Sequence, residues 1–500
     1  MGLKSMLAKP LASIVRRKID RWSREGIATQ KRQFSLLAAR LSHTAFGKEH
    51  GIGSGISVAE FRKRVPIRDY EALRPWMDRM VSGTPDVLWP GKPLYLAKTS
   101  GTTSGVKYIP ITKESMPFHT SSARDALLCY IAETGRAGWL DGNLIFLSGS
   151  PVLEEKNGIL SGRLSGIVNH HVPSYLRRNQ LPSWETNCLD DWEEKVDRIA
   201  RETIDKPMSL ISGIPPWVQM YFDRVLQLSG KEHLREVFPN FELLVYGGVN
   251  FEPYREKMYQ TIGAQIPSIE TYPASEGFIA FQDRQSDPGL LMLLNSGIYY
   301  EFVPVSEYFS AQPVRLGIEE VELGVQYAVI MNTNAGLWGY SIGDTVKFIS
   351  KDPYKIVVTG RIKHFISAFG EHVIGEEVER AMQEVCAVFS ARTVEFTVAP
   401  QVNPESGLPY HEWLVEFDTA PDRQESFALA LDAAMQKQNI YYRDLITGSI
   451  LRPLKLSILP KGSFIAYMKR QGKLGGQNKV PRLSNDRSIA DNILGHLNVP

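Results

Sequence analysis

The chain has 500 residues, more than one hydrophobic core usually supports, so two domains are expected. Its formal net charge of +2 gives no reason to expect a nucleic acid as a partner, and no apolar run is long enough to cross a membrane. The three cysteines lie far apart and form no Cys-x-x-Cys pair, which argues against a disulfide framework or a zinc site and favours a reducing, cytoplasmic compartment.

The first 24 residues predict a basic amphipathic helix. They contain seven lysines and arginines but only one acid. Apolar side chains recur at roughly helical spacing, at Leu11, Ile14, Val15, Ile19 and Trp22. We favour a helix that packs on the domain with its charges in water. The alternative is a helix that lies on an anionic membrane or acts as a targeting segment.

Residues 96–112 predict a phosphate-binding loop between two short strands. Hydrophobic runs at 93–97 and 108–111 flank a segment of hydroxyl-bearing residues and glycines that ends in a lysine: Ser100, Gly101, Thr102, Thr103, Ser104, Gly105 and Lys107. Glycines let backbone N–H groups approach anionic oxygens closely, and the lysine adds a positive charge. The spacing is not that of a Walker loop. Without further context, a solvated hairpin turn would explain the same residues.

The segment Thr99-Ser100-Gly101-Thr102-Thr103 resembles the phosphate-binding signature of the adenylate-forming enzymes, the superfamily of acyl-CoA synthetases, adenylation domains and luciferases. In these enzymes, a glycine-rich turn after one strand and a Tyr-x-x-Ser/Thr-Glu turn after the next form two walls of the adenine pocket. The strand at 241–246 is followed by Gly247 and Gly248, and residues 268–271 run into Tyr272, Ser275 and Glu276. The resemblance therefore implies that the glycines and Tyr272 hold the base, Ser275 reaches phosphate, and Glu276 holds the Mg²⁺ bound to ATP.

Between these motifs, buried strands at 144–147 and 208–212 alternate with helices at 192–205 and 217–228, which predicts a sheet covered by helices. Val218 and Tyr221 lie on one face of the last helix. They could line a pocket for an organic acid, although such a face is more often simply core.

A third motif occupies residues 338–346. Asp344 stands where the superfamily places the carboxylate that accepts hydrogen bonds from both ribose hydroxyls. A hairpin turn at Gly343 and Asp344 is the alternative. Residues 360–363 resemble the hinge of the superfamily, in which Arg361 would also touch the nucleotide and Lys363 would absorb the backbone rotation.

Beyond the hinge, helices at 374–385 and 423–437 and strands at 394–399, 413–417 and 455–459 predict a small α+β domain. Its end, residues 471–482, is rich in glycine and cations, as expected of a mobile loop that brings a lysine to a reaction centre. A flexible solvated tail is the alternative.

Three C-terminal segments narrow the resemblance to the Gretchen Hagen family of acyl-acid amido synthetases: residues 439–444, 461–464 and 477–482. The resemblance implies an α/β fold in which a large N-terminal adenylate-forming domain, residues 1–360, has mixed sheets covered by helices. A small, mobile α+β domain, residues 361–500, carries the catalytic lysine. The family commonly has arginine where Ser341 stands.

The resemblance also implies the reaction. A small carboxylic acid attacks the α-phosphate of Mg²⁺-bound ATP to give an acyl-adenylate and pyrophosphate, and an amino acid amine then takes the acyl group and releases AMP. Lys479 would lie over the forming acyl-phosphate bond, with Lys473 as the alternative. Two other functions stay open: a ligase that uses coenzyme A or a carrier protein as acceptor, and a nucleotide-binding regulator without catalysis.

Overall fold

The computed structural model describes residues 2–100, 106–248, 251–362, 365–366, 373–447, 451–474, 479–484 and 486–497. The described α-helices in chain order are α1 Leu3–Arg24, α2 Gly26–Leu41, α3 Ala45–Glu49, α4 Val58–Arg64, α5 Tyr70–Val81, α6 Met116–Thr134, α7 Leu164–His170, α8 Ser174–Arg177, α9 Trp184–Asn187, α10 Trp192–Thr203, α11 Pro215–Ser229, α12 Leu234–Val237, α13 Glu252–Ile262, α14 Gly375–Phe389, α15 Gln424–Gln438, α16 Ile440–Thr447, α17 Ser463–Arg470 and α18 Ser488–Leu497. The described strands are β1 Tyr95–Ser100, β2 Val106–Ile111, β3 Asn143–Phe146, β4 Glu154–Lys156, β5 Ile159–Gly162, β6 Gln180–Leu181, β7 Met208–Gly213, β8 Leu243–Gly247, β9 Ser268–Ala274, β10 Gly277–Gln282, β11 Leu290–Met292, β12 Ile298–Pro304, β13 Gln326–Thr333, β14 Tyr340–Lys351, β15 Tyr354–Arg361, β16 Phe365–Ile366, β17 Val373–Ile374, β18 Arg392–Gln401, β19 Tyr410–Thr419 and β20 Lys455–Leu459.

The chain divides into two compact units. Unit 1 comprises Met1–Ile342 and Val346–Val358, and unit 2 comprises Gly343–Thr345 and Thr359–Pro500. The division therefore cuts through β14, whose middle three residues belong to unit 2. The roles predicted for residues 1–360 and 361–500, and the mobility predicted for the second part, stay predictions.

Unit 1 is built on an 11-stranded mixed sheet, in the order β12-β13-β14-β15-β11-β10-β9-β8-β7-β3-β6. Strands β9, β8, β7, β3 and β6 are neighbours in this order and run parallel. The described pairs β9–β10, β10–β11, β11–β15 and β12–β13 are antiparallel. The carboxyl ends of the parallel strands meet at one edge, where open α/β sheets bind their ligands. The prediction of a mixed sheet covered by helices is confirmed.

A second sheet of four strands, in the order β2-β1-β5-β4, carries the predicted loop strands. Strands β1 and β2 form an antiparallel hairpin in which Ser100 is opposite Val106 and Thr99 is opposite Lys107. The predicted hairpin is therefore confirmed. Its tip, residues 101–105, lies outside the described residues.

Helix α1 packs on the rest of unit 1 through one narrow face. Its inward side chains, Ala8, Ala12, Val15 and Ile19, lie in one apolar cluster with residues of α6 such as Ala126, Cys129 and Tyr130. Arg16 anchors the same face because its Nη1 donates to the buried Asp283 carboxylate at 3.0 Å. The prediction of a helix is confirmed, but Leu11 and Ile14 point away from the domain instead of sharing a face with Val15. No helix among the described residues is long and apolar enough to span a membrane.

A charged group is buried where α4 meets β12. The Glu301 carboxylate is fully buried and accepts from Arg62 Nε at 2.7 Å and from Asn332 Nδ2 at 3.0 Å. Arg315, whose side chain is 7% exposed, also donates to it. Two cations thus share one buried anion.

Unit 2 contains a three-stranded sheet, in the order β18-β19-β20, with α14 and α15 packed beside each other. Both helices and all three strands lie within a few residues of the predicted ranges. The predicted small α+β fold is confirmed. Its core includes Val398, Trp413, Phe427 and Leu431, which are 0–1% exposed.

Candidate functional site

The base of the β1–β2 hairpin is well supported. Tyr70 Oη accepts a hydrogen bond from the backbone N–H of Tyr108 at 3.0 Å, and the Lys107 ammonium lies 5.5 Å from the centre of the Tyr70 ring. Ser100 is the last residue of β1. Of the other predicted phosphate ligands, Gly101, Thr102 and Thr103 lie outside the described residues. Phosphate binding by this hairpin stays a prediction.

The turn after β8 requires glycine for two different reasons. A Cβ atom on Gly247 would lie 2.3 Å from the carbonyl oxygen of Thr271, which is closer than atoms can approach. Gly248 has φ +84°, in the left-handed region that favours glycine. Thr271 also donates from Oγ1 to the carbonyl of Tyr246 at 3.0 Å. The two strand ends are therefore in close contact, and a side chain at position 247 would collide with Thr271.

The end of β9, with Tyr272, and the turn after it, with Ser275 and Glu276, lie at the same sheet edge. Tyr272 and Ser275 are buried, whereas Glu276 is half-buried. The Tyr340 hydroxyl, at the start of β14, donates to Glu276 Oε1 at 3.3 Å. Burial, and then the negative charge of Glu276, raise the pKa of Tyr340 well above its ordinary value, so the phenol stays a neutral donor.

The sequence motifs do not identify Tyr340 as a site residue. Tyr340 lies in the third motif, three residues before Gly343, and this position is the one indication that it could belong to the site. No sequence pattern indicates that residue 340 contacts residue 276. Its hydrogen bond limits the rotation of the carboxylate that we predict to hold Mg²⁺.

We expect Tyr340→Phe to weaken the use of Mg²⁺ without unfolding the protein. The ring stays in place, but Glu276 loses one donor, which is worth about 1 kcal/mol or about a fivefold change. The magnesium concentration for half-maximal ATP-dependent pyrophosphate release should therefore rise severalfold. Tyr308→Phe is the matched control, because that hydroxyl donates to Ser341 Oγ at 2.8 Å instead. Equal magnesium dependence in both variants would contradict a role for Tyr340.

Asp344 and Arg361 form an ion pair in unit 2. Arg361 Nε lies 2.8 Å from Asp344 Oδ1, and the side chains are 52% and 18% exposed, respectively. The backbone N–H of Ile362 donates to the carbonyl of Gly343 at 2.6 Å, and the Thr359 hydroxyl donates to Thr345 Oγ1 at 2.9 Å. These two hydrogen bonds hold residues 343–345 beside residues 359–362.

The hairpin turn that we considered at Gly343 and Asp344 is wrong, because β14 continues as a strand from Tyr340 to Lys351. Gly343 has φ +84° within that strand. The ribose-binding role of Asp344 stays a prediction.

Lys479 lies in the electrostatic field of this pair. Desolvation by the surrounding protein lowers the pKa of its ammonium to about 8, although the residue keeps an exposed surface. The carboxylates of Asp344 and Glu379 oppose this shift, and Arg361 adds to it. A lysine with such a pKa is still mostly charged at neutral pH, and its low solvation strengthens its interaction with an anion.

The residues after Lys479 are fixed to β18. The Pro481 carbonyl accepts from Thr397 Oγ1 at 2.7 Å, and the backbone N–H of Val398 donates to the Arg482 carbonyl at 2.9 Å. The Arg482 guanidinium pairs with Glu379 at 2.9 Å and with Glu395. Lys479 is therefore two residues from a firm anchor.

The alternative lysine has a different environment. Lys473 follows α17, and its backbone N–H donates to Met468 O at 2.9 Å. Gly472, with φ +61°, ends that helical turn. Lys479 interacts electrostatically with both Asp344 and Arg361, the two residues that we predict to contact the nucleotide. The choice of Lys479 as the catalytic lysine stays a prediction.

The other two family-like segments hold unit 2 together. Asn439 Nδ2 donates to Glu377 Oε2 at 3.0 Å, which links α15 to the start of α14. The buried Glu416 accepts from the backbone N–H groups of Gly462 at 2.7 Å and Phe464 at 3.2 Å, and so caps α17. The described contacts of these two segments join elements of unit 2 to one another.

The predicted acid-binding residues lie in the core. Val218 and Tyr221 on α11 are 0% exposed, and the Tyr221 hydroxyl shares a 2.8 Å hydrogen bond with Thr203 Oγ1. Burial raises the pKa of Tyr221. The structure gives both side chains core contacts, so their role as pocket residues stays a prediction without structural support.

Among the described residues, no group of three or more His, Cys, Asp and Glu side chains could hold a metal ion. Mg²⁺ usually binds to one or two carboxylates together with substrate phosphates, so the half-buried, hydrogen-bonded Glu276 fits that mode of binding.

Three family models match the chain in order. They are the GH3 family N-terminal domain at residues 15–187, the GH3 family central domain at 291–361 and the GH3 family C-terminal domain at 376–488.

Among curated proteins, a jasmonoyl–L-amino acid synthetase of Oryza sativa subsp. japonica is 23% identical, over 93% of this chain and 93% of that protein. A jasmonoyl–L-amino acid synthetase of Nicotiana attenuata is also 23% identical, over 61% of this chain and 63% of that protein. Among solved structures, an acyl acid amido synthetase aligns with a TM-score of 0.80 at 15% identity, over 97% of this chain and 96% of that one. A 2-hydroxyisobutyryl-CoA ligase aligns with a TM-score of 0.58 at 14% identity, over 94% of this chain and 91% of that one. These structures share the fold of this chain.

Proposed function

Because the chain belongs to the GH3 family, we infer that it is an ATP-dependent acyl-acid amido synthetase, a ligase that joins a carboxylic acid to an amino acid. The observation that carries this conclusion is the ordered match of all three family models along one chain. The two curated relatives described above are named jasmonoyl–L-amino acid synthetases, but identities near 23% support only the class of substrate, a small carboxylic acid, and not the particular acid.

Two half-reactions follow. In the first, an oxygen of the carboxylate attacks the α-phosphorus of ATP, the bond to the β-phosphate breaks, and pyrophosphate leaves. In the second, the amino acid nitrogen attacks the acyl carbon, the bond to AMP breaks, and the nitrogen loses a proton to solvent. Mg²⁺, held through Glu276, would neutralise charge on the phosphates.

The residues of this chain have separate tasks in that scheme. Asp344 would accept hydrogen bonds from the ribose, with Arg361 keeping its carboxylate in orientation. The Gly247–Gly248 turn and Tyr272 would border the base. Ser275 and the β1–β2 hairpin, with Ser100, Gly101, Thr102, Thr103 and Lys107, would bind phosphates. Lys479 would stabilise the negative charge that develops at the α-phosphate.

The direct test is pyrophosphate release from ATP and Mg²⁺ with a panel of aryl, indole and alkyl carboxylates. Each acid is assayed without an acceptor, with mixed amino acids and with coenzyme A. Stimulation by amino acids, with an amide product in mass spectrometry, supports the proposal. Stimulation by coenzyme A alone would make the protein a thioester-forming ligase. ATP binding without turnover on any acid would favour a regulator.

We expect the rate of the first half-reaction to fall as the pH rises through about 8, which gives the pH profile an alkaline limb. Lys479 acts as a cation, and its pKa is lowered to about 8, so the active form is present below this pH and is lost as the pH rises through it. ATP–pyrophosphate exchange without amino acid, measured from acid to alkaline pH, isolates this step from the deprotonation of the amine.

Lys479→Arg is the control for this pH profile. A guanidinium stays charged throughout the range, so the limb should move to higher pH even if the maximal rate falls. An unchanged limb in the arginine variant would show that another group titrates.

The cysteine pattern and the small net charge support two further parts of the proposal: a cytoplasmic location, and small-molecule substrates without a nucleic acid partner.

A further inference from the structure

The outward side of α1 carries an apolar and basic surface that the ligase activity does not use. Leu7, Leu11 and Ile14 lie three or four residues apart, so they form one stripe along the helix. They are 64%, 47% and 50% exposed. Lys18 and Arg21 continue the same stripe toward the end of the helix, and Met6 and Arg17 lie beside it. We call these seven residues the α1 outer face.

The opposite side of the helix is already in use. Ala8, Ala12, Val15 and Ile19 are buried against the body of unit 1, and Arg16 is paired with Asp283. Helix α1 therefore cannot turn its leucines inward without losing this packing. Of twenty exposed large hydrophobic residues in the described part of the chain, four occur here within nine positions, which makes the cluster unlike ordinary scattered exposure.

Charge decides what can cover this face. The first 24 residues hold seven of the 57 basic residues and one of the 55 acidic residues of the chain, which gives the segment +6 and leaves −4 for the rest. Arg17 and Arg21 are exposed and have no ion pair within the described ranges, while Lys18 interacts electrostatically with Asp125. A second copy docked through the same face would bring these cations together, which is unfavourable.

We propose that the α1 outer face binds to the surface of an anionic lipid membrane. The four apolar side chains would enter the boundary between headgroups and acyl chains, and the lysine and arginines would remain among the phosphates. A helix on the bilayer surface needs no membrane-spanning segment. The proposal is independent of the ligase activity, because none of these residues belongs to the candidate site.

Vesicle co-sedimentation tests the proposal with the full-length protein. We compare vesicles of phosphatidylcholine with vesicles that also contain about one-third phosphatidylglycerol, at about 0.1 M and about 0.5 M salt. The expected result is binding at least about tenfold stronger to the anionic vesicles at low salt, with most of that preference lost at high salt.

Three variants assign the binding to this face. Leu7→Gln/Leu11→Gln/Ile14→Gln should weaken binding about tenfold or more, because the apolar contribution is removed. Arg17→Glu/Arg21→Glu should abolish the preference for anionic vesicles. Leu429→Gln is the matched control, since Leu429 is 65% exposed on α15, and it should bind as the unaltered protein does. Because all substituted side chains are exposed, melting temperatures and pyrophosphate release without vesicles should be unchanged.

Any of three binding results would overturn the proposal. They are absence of binding to anionic vesicles, equal binding by the triple-glutamine variant, and equal binding to neutral and anionic vesicles. A concentration-dependent dimer that disappears in the triple-glutamine variant would likewise overturn it, because the face would then be an interface between copies.

Discussion

Replacing Lys479 by alanine should lower the rate of acyl-adenylate formation about 10²- to 10³-fold while ATP still binds. The ammonium interacts with Asp344 and Arg361, and Pro481 and Arg482 anchor the adjacent backbone to β18. The loss should therefore fall on the transition state, where charge develops at the α-phosphate, and only slightly on the ground state. ATP–pyrophosphate exchange measures the rate, and calorimetry measures ATP binding.

Lys473→Ala is the matched control for this experiment. It removes a lysine of the same C-terminal segment, and we expect exchange within about threefold of the unaltered protein, because one side chain without transition-state contact contributes little. The reverse outcome, a large loss in Lys473→Ala and normal exchange in Lys479→Ala, would move the catalytic role to Lys473.

Glu301→Ala should be the most destabilising single change that we can name, at about 3–5 kcal/mol. It leaves the Arg315 and Arg62 guanidiniums without the buried carboxylate that compensates them, and it removes an acceptor of Asn332. Urea denaturation, monitored by tryptophan fluorescence, should show that unit 1 unfolds with its midpoint at a lower urea concentration.

Glu60→Ala provides the control for burial. Glu60 pairs with Arg64 at 2.7 Å on the same helix, α4, but both side chains are more than 40% exposed. Such surface pairs contribute at most about 1 kcal/mol. Adding Arg315→Met to Glu301→Ala should recover part of the loss, because the second change removes one uncompensated cation. Equal midpoints for Glu301→Ala and Glu60→Ala would show that this group is not a buried network.

Local patterns predict several elements of this protein closely. The runs at 208–212 and 217–228 correspond to β7 and α11, because a buried strand and a one-sided helix each leave a clear period in the sequence. The pattern at 455–459 predicts a strand, and β20 occupies Lys455–Leu459.

Contacts between distant residues could not be predicted in this way. Glu301 and Arg62 are 239 positions apart, and Tyr340 and Glu276 are 64 apart. Two charged or hydroxyl-bearing residues so far apart in the sequence form no periodic pattern. Their contact is therefore visible only in the folded structure. The sequence also does not show which face of α1 is buried. Leu11 and Val15 both fit the apolar spacing of a helix, but the weakly hydrophobic Ala8 and Ala12 contact the rest of unit 1, whereas Leu11 is exposed.

Strand β14 also determines where this chain can be divided. Its residues Tyr340–Ile342 belong to unit 1, Gly343–Thr345 to unit 2 and Val346–Lys351 again to unit 1. An expressed fragment that starts at residue 361 would therefore leave Asp344 behind, and Arg361 would lose its ion-pair partner. During synthesis, unit 1 is complete at residue 358, whereas unit 2 needs both its early segment and the chain to its end. Synthesis therefore completes unit 1 before most of unit 2, although three residues of unit 2 are made early, within β14.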